Sequence, residues 1–169
     1  MNNFNQSLNT KDFTISSEIF LRPDTNEEAI KIQSDLLKDY VDAILVTDNQ
    51  SGQLHMSSLS AGIILKNLGI DPIVNLSCRN RNRISLTGEI LGCASLNINN
   101  FILTRGEKIP KEVQPRPKAI MDMNATSLIS LATVSYTHIR AHETREDLLW
   151  PGMHEKKKWG GGGWGGGGG

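Results

Sequence analysis

Cysteine is nearly absent: Cys78 and Cys93 are the only two in 169 residues. They are too few and too far apart for a disulfide framework or a four-ligand zinc site, which points to a reducing compartment. A charge excess is missing too, since 18 lysines and arginines meet 18 aspartates and glutamates for a net charge of 0. That balance leaves no electrostatic footprint for nucleic acid or an anionic membrane and favours a small-molecule partner. The opening MNNFNQSLNTKDF has no apolar signal core, and no later run is long and apolar enough to span a bilayer. A soluble, cytoplasmic protein is the expectation. Length is short as well: it suffices for one domain with a core but falls below the roughly 250 residues typical of an eight-stranded α/β barrel.

What the chain does contain is a rhythm. After a polar arm, Phe13, Ile15, Ser17 and Ile19 alternate with Thr14, Ser16, Glu18 and Phe20, as the two faces of a strand do. Thr25 and Glu28 match a capping box, opening a helix through Asp39 with Ala29, Ile32, Leu36 and Leu37 on its apolar face. Ala43 to Val46 is a short apolar run, expected of a strand covered on both sides, and it stops at Thr47-Asp48-Asn49-Gln50. A helix is predicted from Ser57 or Ser58, carrying Leu59, Ile63, Ile64 and Leu68, with Gly69 in the left-handed position after it.

Pro72 begins a third strand, and a third helix is predicted near Arg83 to Leu96. Gly88 and Gly92 in that helix each cost up to about 1 kcal/mol of propensity, which close packing against a sheet would offset. Phe101 to Thr104 reads as the fourth strand, and Lys108 to Lys118 as a loop with three prolines and four basic residues. Ala125, Leu128, Ile129 and Ala132 begin another amphipathic helix.

Strands recurring about every thirty residues, with a helix in each gap, are repeated strand–helix units. A dinucleotide-binding doubly wound sheet needs a glycine-rich turn after its first strand, and Leu21-Arg22-Pro23-Asp24 cannot supply one. The expected fold class is therefore α/β, the amino-terminal half of a (β/α)8 TIM barrel. In that fold all strands deliver their carboxyl ends to one side of the sheet, where the chemistry lies. Ser77, Cys78 and Arg79 end the third strand, and Thr104, Arg105, Gly106 and Glu107 end the fourth.

The pairing of Asn75-Leu76-Ser77-Cys78 with Leu103-Thr104-Arg105-Gly106-Glu107, about thirty residues apart as in one strand-helix-strand unit, resembles the flavin-dependent methylenetetrahydrofolate reductases. That family usually has His-Leu-Thr-Cys followed by Leu-Arg-Gly-Asp. Ser16-Ser17-Glu18-Ile19-Phe20, Val46-Thr47 and Ala125 extend the resemblance over roughly the first three quarters of the chain. It implies FAD as cofactor, NAD(P)H as hydride donor and a small-molecule folate substrate. The product would be methyltetrahydrofolate for methionine synthesis, and the full-length protein is expected to be a homo-oligomer.

The resemblance also assigns roles. Glu18 would be the general acid that protonates the folate, its pKa raised by desolvation inside a barrel. On residues alone, a strand glutamate facing solvent is the commoner case. Glu107, at the place of the family's aspartate, would tune the flavin and stabilise a cationic folate intermediate. Thr47, Asn75, Thr104, Arg105, Gly106 and Ala125 would form the cofactor shell. Asn75 replaces a histidine and so keeps hydrogen bonding but loses any imidazole charge. A strand-terminal threonine explains Thr47 equally well, a solvated loop explains Arg105, and an apolar helix position explains Ala125. Arg79, Arg81 and Arg83, without interleaved aromatics, read as a solvated rim or a phosphate clamp rather than an RNA site. Cys78 reads as an inert core thiol.

From Val134 the composition changes. VSYTHIRAHET, residues 134–144, resembles the translated read-through of a transposase-type sequencing adapter, and Lys156 to Lys158 and the glycine tract broken by Trp159 and Trp164 resemble homopolymer runs. The expectation is a partial reductase barrel over 1–133 and a non-native, disordered tail over 134–169, with the truncated chain itself inactive. His138, His142 and Glu143 then imitate a metal pair by accident, and no metal is predicted. Two other functions fit the same residues: a flavin-free folate-binding or corrinoid-linked methyltransferase barrel, and an assembly piece whose open strand edges pair with another copy.

Overall fold

The computed structural model describes residues 4–142. An amino-terminal helix, α1 (Phe4–Thr10), precedes four strand–helix units: β1 (Ser16–Ile19) with α2 (Glu27–Leu37), β2 (Ala43–Val46) with α3 (Ser58–Asn67), β3 (Pro72–Ser77) with α4 (Arg83–Ser95), and β4 (Asn100–Thr104) with α5 (Ala125–His142). A 3-10 turn over Gln50–Gly52 lies between β2 and α3. The strands are all parallel in the order β1-β2-β3-β4, so β1 and β4 are the sheet's two edges. This is the expected α/β half-barrel arrangement.

Register decides what each face carries. Glu18 lies opposite Leu45, Leu45 opposite Ile73, Asn75 opposite Ile102, and Ser77 opposite Thr104. Because successive side chains alternate, these residues share one face, and Ile19, Ile44, Val46, Val74 and Leu76 share the other. The helices cover the second face. Ile19, Ile44 and Val46 pack with Ile30, Ala61, Leu65 and Ile70, and Val74 and Leu76 pack with Leu86, Ile90, Cys93, Ile98 and Leu128. Each fully buried aliphatic side chain contributes roughly 1.5–3 kcal/mol. Leu45 is only half-buried, so β2 is covered fully on the helix side and not on both sides as its apolar run suggests.

Side-chain caps set the helix starts. Ser57 opens α3 by accepting from the Ser60 N–H, Asn82 opens α4 by accepting from that of Ser85, and Gly69 takes the left-handed φ of +76° beyond α3. α2 departs from expectation. Its cap is Asn26, whose Oδ1 accepts from Ala29 N at 2.9 Å, while Thr25 Oγ1 accepts from Arg22 N. The buried face is accordingly Ile30 and Ser34, flanked by Leu37. Ile32 and Leu36 are 55% and 70% exposed.

Two further expectations change. The polar arm is in fact α1, which docks beneath the amino ends of the strands: Ser7 Oγ and Lys11 Nζ donate to Asp42 Oδ1, and Phe4 N donates to Asp71 Oδ2. Gly88 has nothing within 4 Å of where a Cβ would stand, and Gly92 only Leu59 at 3.9 Å. The close approach of helix to sheet is instead at Gly62, where a Cβ would come within 2.7 Å of Val74 Cγ2. α5 runs across Thr133, and the lysine and glycine tracts beyond lie outside the described residues, as do the side chains of His138 and His142. Among the described residues, no helix is long and apolar enough to cross a membrane.

Candidate active site

A cleft of about 310 Å³ opens on the uncovered face at the carboxyl ends of the strands, lined by residues from all four. Glu18 and Glu107 both border it, together with Thr47, Asn75, Thr104 and Gly106. The shared mouth expected for the two carboxylates therefore exists. Leu45 and Ile102 supply its apolar floor. Glu18 is exposed in this half-barrel rather than enclosed in a barrel interior, so the described residues do not provide the burial expected of it. Thr104 Oγ1 donates to Asn75 Oδ1 at 3.4 Å, and Ser58 Oγ donates to the Asn75 carbonyl at 2.7 Å, which anchors Asn75 at the cleft.

Arg105 and Ala125 are not in this cleft. Arg105 is exposed and lines a separate hollow of about 430 Å³ with Arg83, Asp122 and Ser127. Strand alternation explains the split: Thr104 faces the cleft, so its neighbour cannot. Ala125 begins α5, between Asn124 and Ser127, which line that hollow.

The most organised part of the site is one that residue reading missed. Asp48, with no exposed side-chain surface, accepts from Ser77 N and Ser77 Oγ at 2.9 and 2.6 Å and from Arg81 Nη1 and Nη2 at 2.6 and 2.9 Å. Arg81 Nε also donates to Glu89 on α4 at 2.7 Å. Burial opposes the charge on Arg81, but Asp48 and Glu89 outweigh it and hold the guanidinium's pKa above its ordinary value. Arg79 is 2% exposed, with Nη2 donating to the Asn49 carbonyl at 2.7 Å. Arg79 and Arg81 are thus buried structural cations rather than a solvated rim, and Arg83 alone of the three is exposed. The signal was present as an aspartate and two arginines at the ends of adjacent strands, where opposite charges must meet.

Gly106 completes the wall. Its φ is +87°, and a Cβ there would lie 2.6 Å from Arg79 Cβ and 3.1 Å from Ser77 Cβ, so only glycine lets the β4 turn lie against β3. Cys78 is buried and its thiol pKa is raised by that burial. Cys93 is pushed up to about 12 by burial, with the Glu89 charge adding to it. Both thiols are inert packing, as expected of Cys78.

No curated protein matches the chain. The sequence model of the methylenetetrahydrofolate reductase family matches residues 3–141, which takes in every strand and the whole cleft. With the parallel half-barrel and the residues gathered at its carboxyl ends, this shows that the chain belongs to the methylenetetrahydrofolate reductase family, a family of oxidoreductases.

Proposed function

We propose that the cleft seats the ring system of FAD, and that the protein is built for hydride transfer from NAD(P)H to methylenetetrahydrofolate, giving methyltetrahydrofolate. The observation that carries this reading is the meeting of Glu18 and Glu107, from opposite edges of the sheet, in one cleft of a family member. The residues present suit a flat heterocycle. Leu45 and Ile102 offer an apolar surface, and Asn75 and Thr104 offer hydrogen bonds. About 310 Å³ is at the lower end of small-molecule sites, which run to roughly 1,000 Å³, and fits the ring part rather than a whole dinucleotide. Arg105, in the second hollow, would take the phosphate-bearing remainder, with Ala125 as a backbone contact.

When bound, the flavin supplies the two-electron relay between nicotinamide and folate. Glu18 protonates the folate so that its five-membered ring opens, with desolvation coming from whatever covers the open face. Glu107 places negative charge beside the cation that results. Thr47 and Asn75 hold the ring's polar edge by hydrogen bonding.

Titration with FAD tests the reading. Binding is expected to quench and shift the flavin's absorption and fluorescence, and Glu107→Gln to weaken or retune it. Folate binding with no flavin response in the full-length protein would favour the flavin-free methyltransferase barrel instead.

A further inference from the structure

Arg79 ties together the turns that follow three strands. From the end of β3 its Nη2 donates to the carbonyl of Asn49 at 2.7 Å and reaches that of Asp48 at 3.5 Å, both after β2. Nη1 reaches the carbonyl of Glu107, after β4, at 3.5 Å, and Nε donates to Asn80 Oδ1 at 3.0 Å. Its own carbonyl accepts from Ile120 N at 2.8 Å, drawing in the segment before α5. The Gly106 backbone lies against its Cβ. The neighbouring carboxylate of Asp48 is taken by Arg81. A buried cation whose donors go to main-chain carbonyls of separate turns fixes the spacing of those turns, because a planar guanidinium presents its donors in fixed directions.

We propose that Arg79 is the positioning residue of the cleft, holding the Glu107 turn and the Asp48–Asn49 turn at one fixed separation across β3. Its relevance to flavin chemistry rests on the reading of Glu107 given above, but its action on the two turns does not. Lysine cannot replace it: a single ammonium on a flexible stem lacks the planar fork that spans both turns.

Amide hydrogen exchange on the 169-residue chain tests this without any flavin. Arg79→Ala and Arg79→Lys are both expected to speed exchange by at least about tenfold at the bonded amides beside the two turns, Asn49 and Gly52 at the first and Cys78, which donates to the Thr104 carbonyl, at the second, since the contacts that hold the turns are lost. Exchange in α2 should stay at wild-type rates. Millimolar methylguanidinium should restore protection to Arg79→Ala, and methylammonium should not. Gly106→Ala, which pushes on Arg79 while keeping its charge, should loosen the same two turns. Unchanged exchange at both turns, loosening that extends through α2, or equal rescue by methylammonium would each overturn the proposal.

The flavin arm separates the two readings. If FAD binds, Arg79→Ala should alter its potential in the wild-type background and add nothing in Glu107→Gln. Additive effects would mean that Arg79 does not act through Glu107. If FAD does not bind, the flavin reading fails, and the exchange data still decide the role of Arg79.

Discussion

Two aspartates flank β2, and they do different work. Asp42, just before the strand, accepts from Ser7, Lys11 and the Ile15 N–H, and so fastens α1 and the entry to β1 beneath the sheet. Asp48, just after it, accepts from Ser77 and Arg81 and fastens the end of β3 to the start of α4. The lysine serving Asp42 has a side chain 44% exposed, whereas the arginine serving Asp48 is 10% exposed and its carboxylate 0%. Water therefore screens one pair and not the other. The amino end is fastened in a way that tolerates loss, while the carboxyl end is locked where the cleft-lining side chains are gathered.

Asp48→Ala should break that contrast most severely. It leaves Arg81 buried without its main partner, a loss of about 3–5 kcal/mol, comparable to the whole stability of a marginal domain. Urea denaturation followed by circular dichroism should show a large fall in midpoint or no folded baseline. Gly106→Ala comes next, costing about 1–3 kcal/mol through the left-handed φ and the clash with Arg79, read in the same way.

Acid sharpens the contrast from the other end. Hydrogen bonds from Lys11, the Ile15 N–H and Ser7 lower the Asp42 pKa from 3.8 to about 2. The unfolded chain therefore takes up the proton first as pH falls. The contribution of Asp42 is complete above about pH 4 and drains away as pH drops toward its folded value. Asp42→Asn should lower the melting temperature by less than Asp48→Ala does, and its difference from wild type should vanish at the acid end.

A smaller effect, of opposite sign, is expected at Gly88, beside Glu89 on α4. With no atom within 4 Å of an added Cβ, Gly88→Ala should stabilise by up to about 1 kcal/mol, seen as a raised midpoint. Glu18→Gln should be nearly silent, within about 0.5 kcal/mol, because the side chain is exposed. Under the proposed function it should nonetheless abolish folate reduction by the full-length enzyme.

The four strands and their order are readable from apolar runs stopped by polar residues, since a parallel sheet buries its helix-facing side and leaves chemistry at the ends. Helix phase is less readable. In α2, Thr25 and Asn26 are adjacent capping residues of which only Asn26 caps the helix, and the buried positions are Ile30 and Ser34, two places before the expected Ile32 and Leu36. Six of the eight expected site residues border one cleft: strand parity places Glu18, Thr47, Asn75 and Thr104 on one face, and the turn at Gly106, past the end of β4, brings in Glu107. Asp48, Arg79 and Arg81 are harder to see. A charged residue near a strand end looks solvent-bound until its partner is known, and these partners lie about thirty residues away on the neighbouring unit. A glycine's purpose is equally hidden: Gly62 and Gly88 look alike in sequence, yet only the first has Val74 pressed against it.

Every strand in this sheet bonds only to the strand made immediately before or after it. Such a sheet has no pairing that must wait for a distant segment, so each unit has its template ready as it leaves the ribosome. Growth by accretion from the amino terminus follows, with β1 and β2 as the first scaffold and β4 the latest addition.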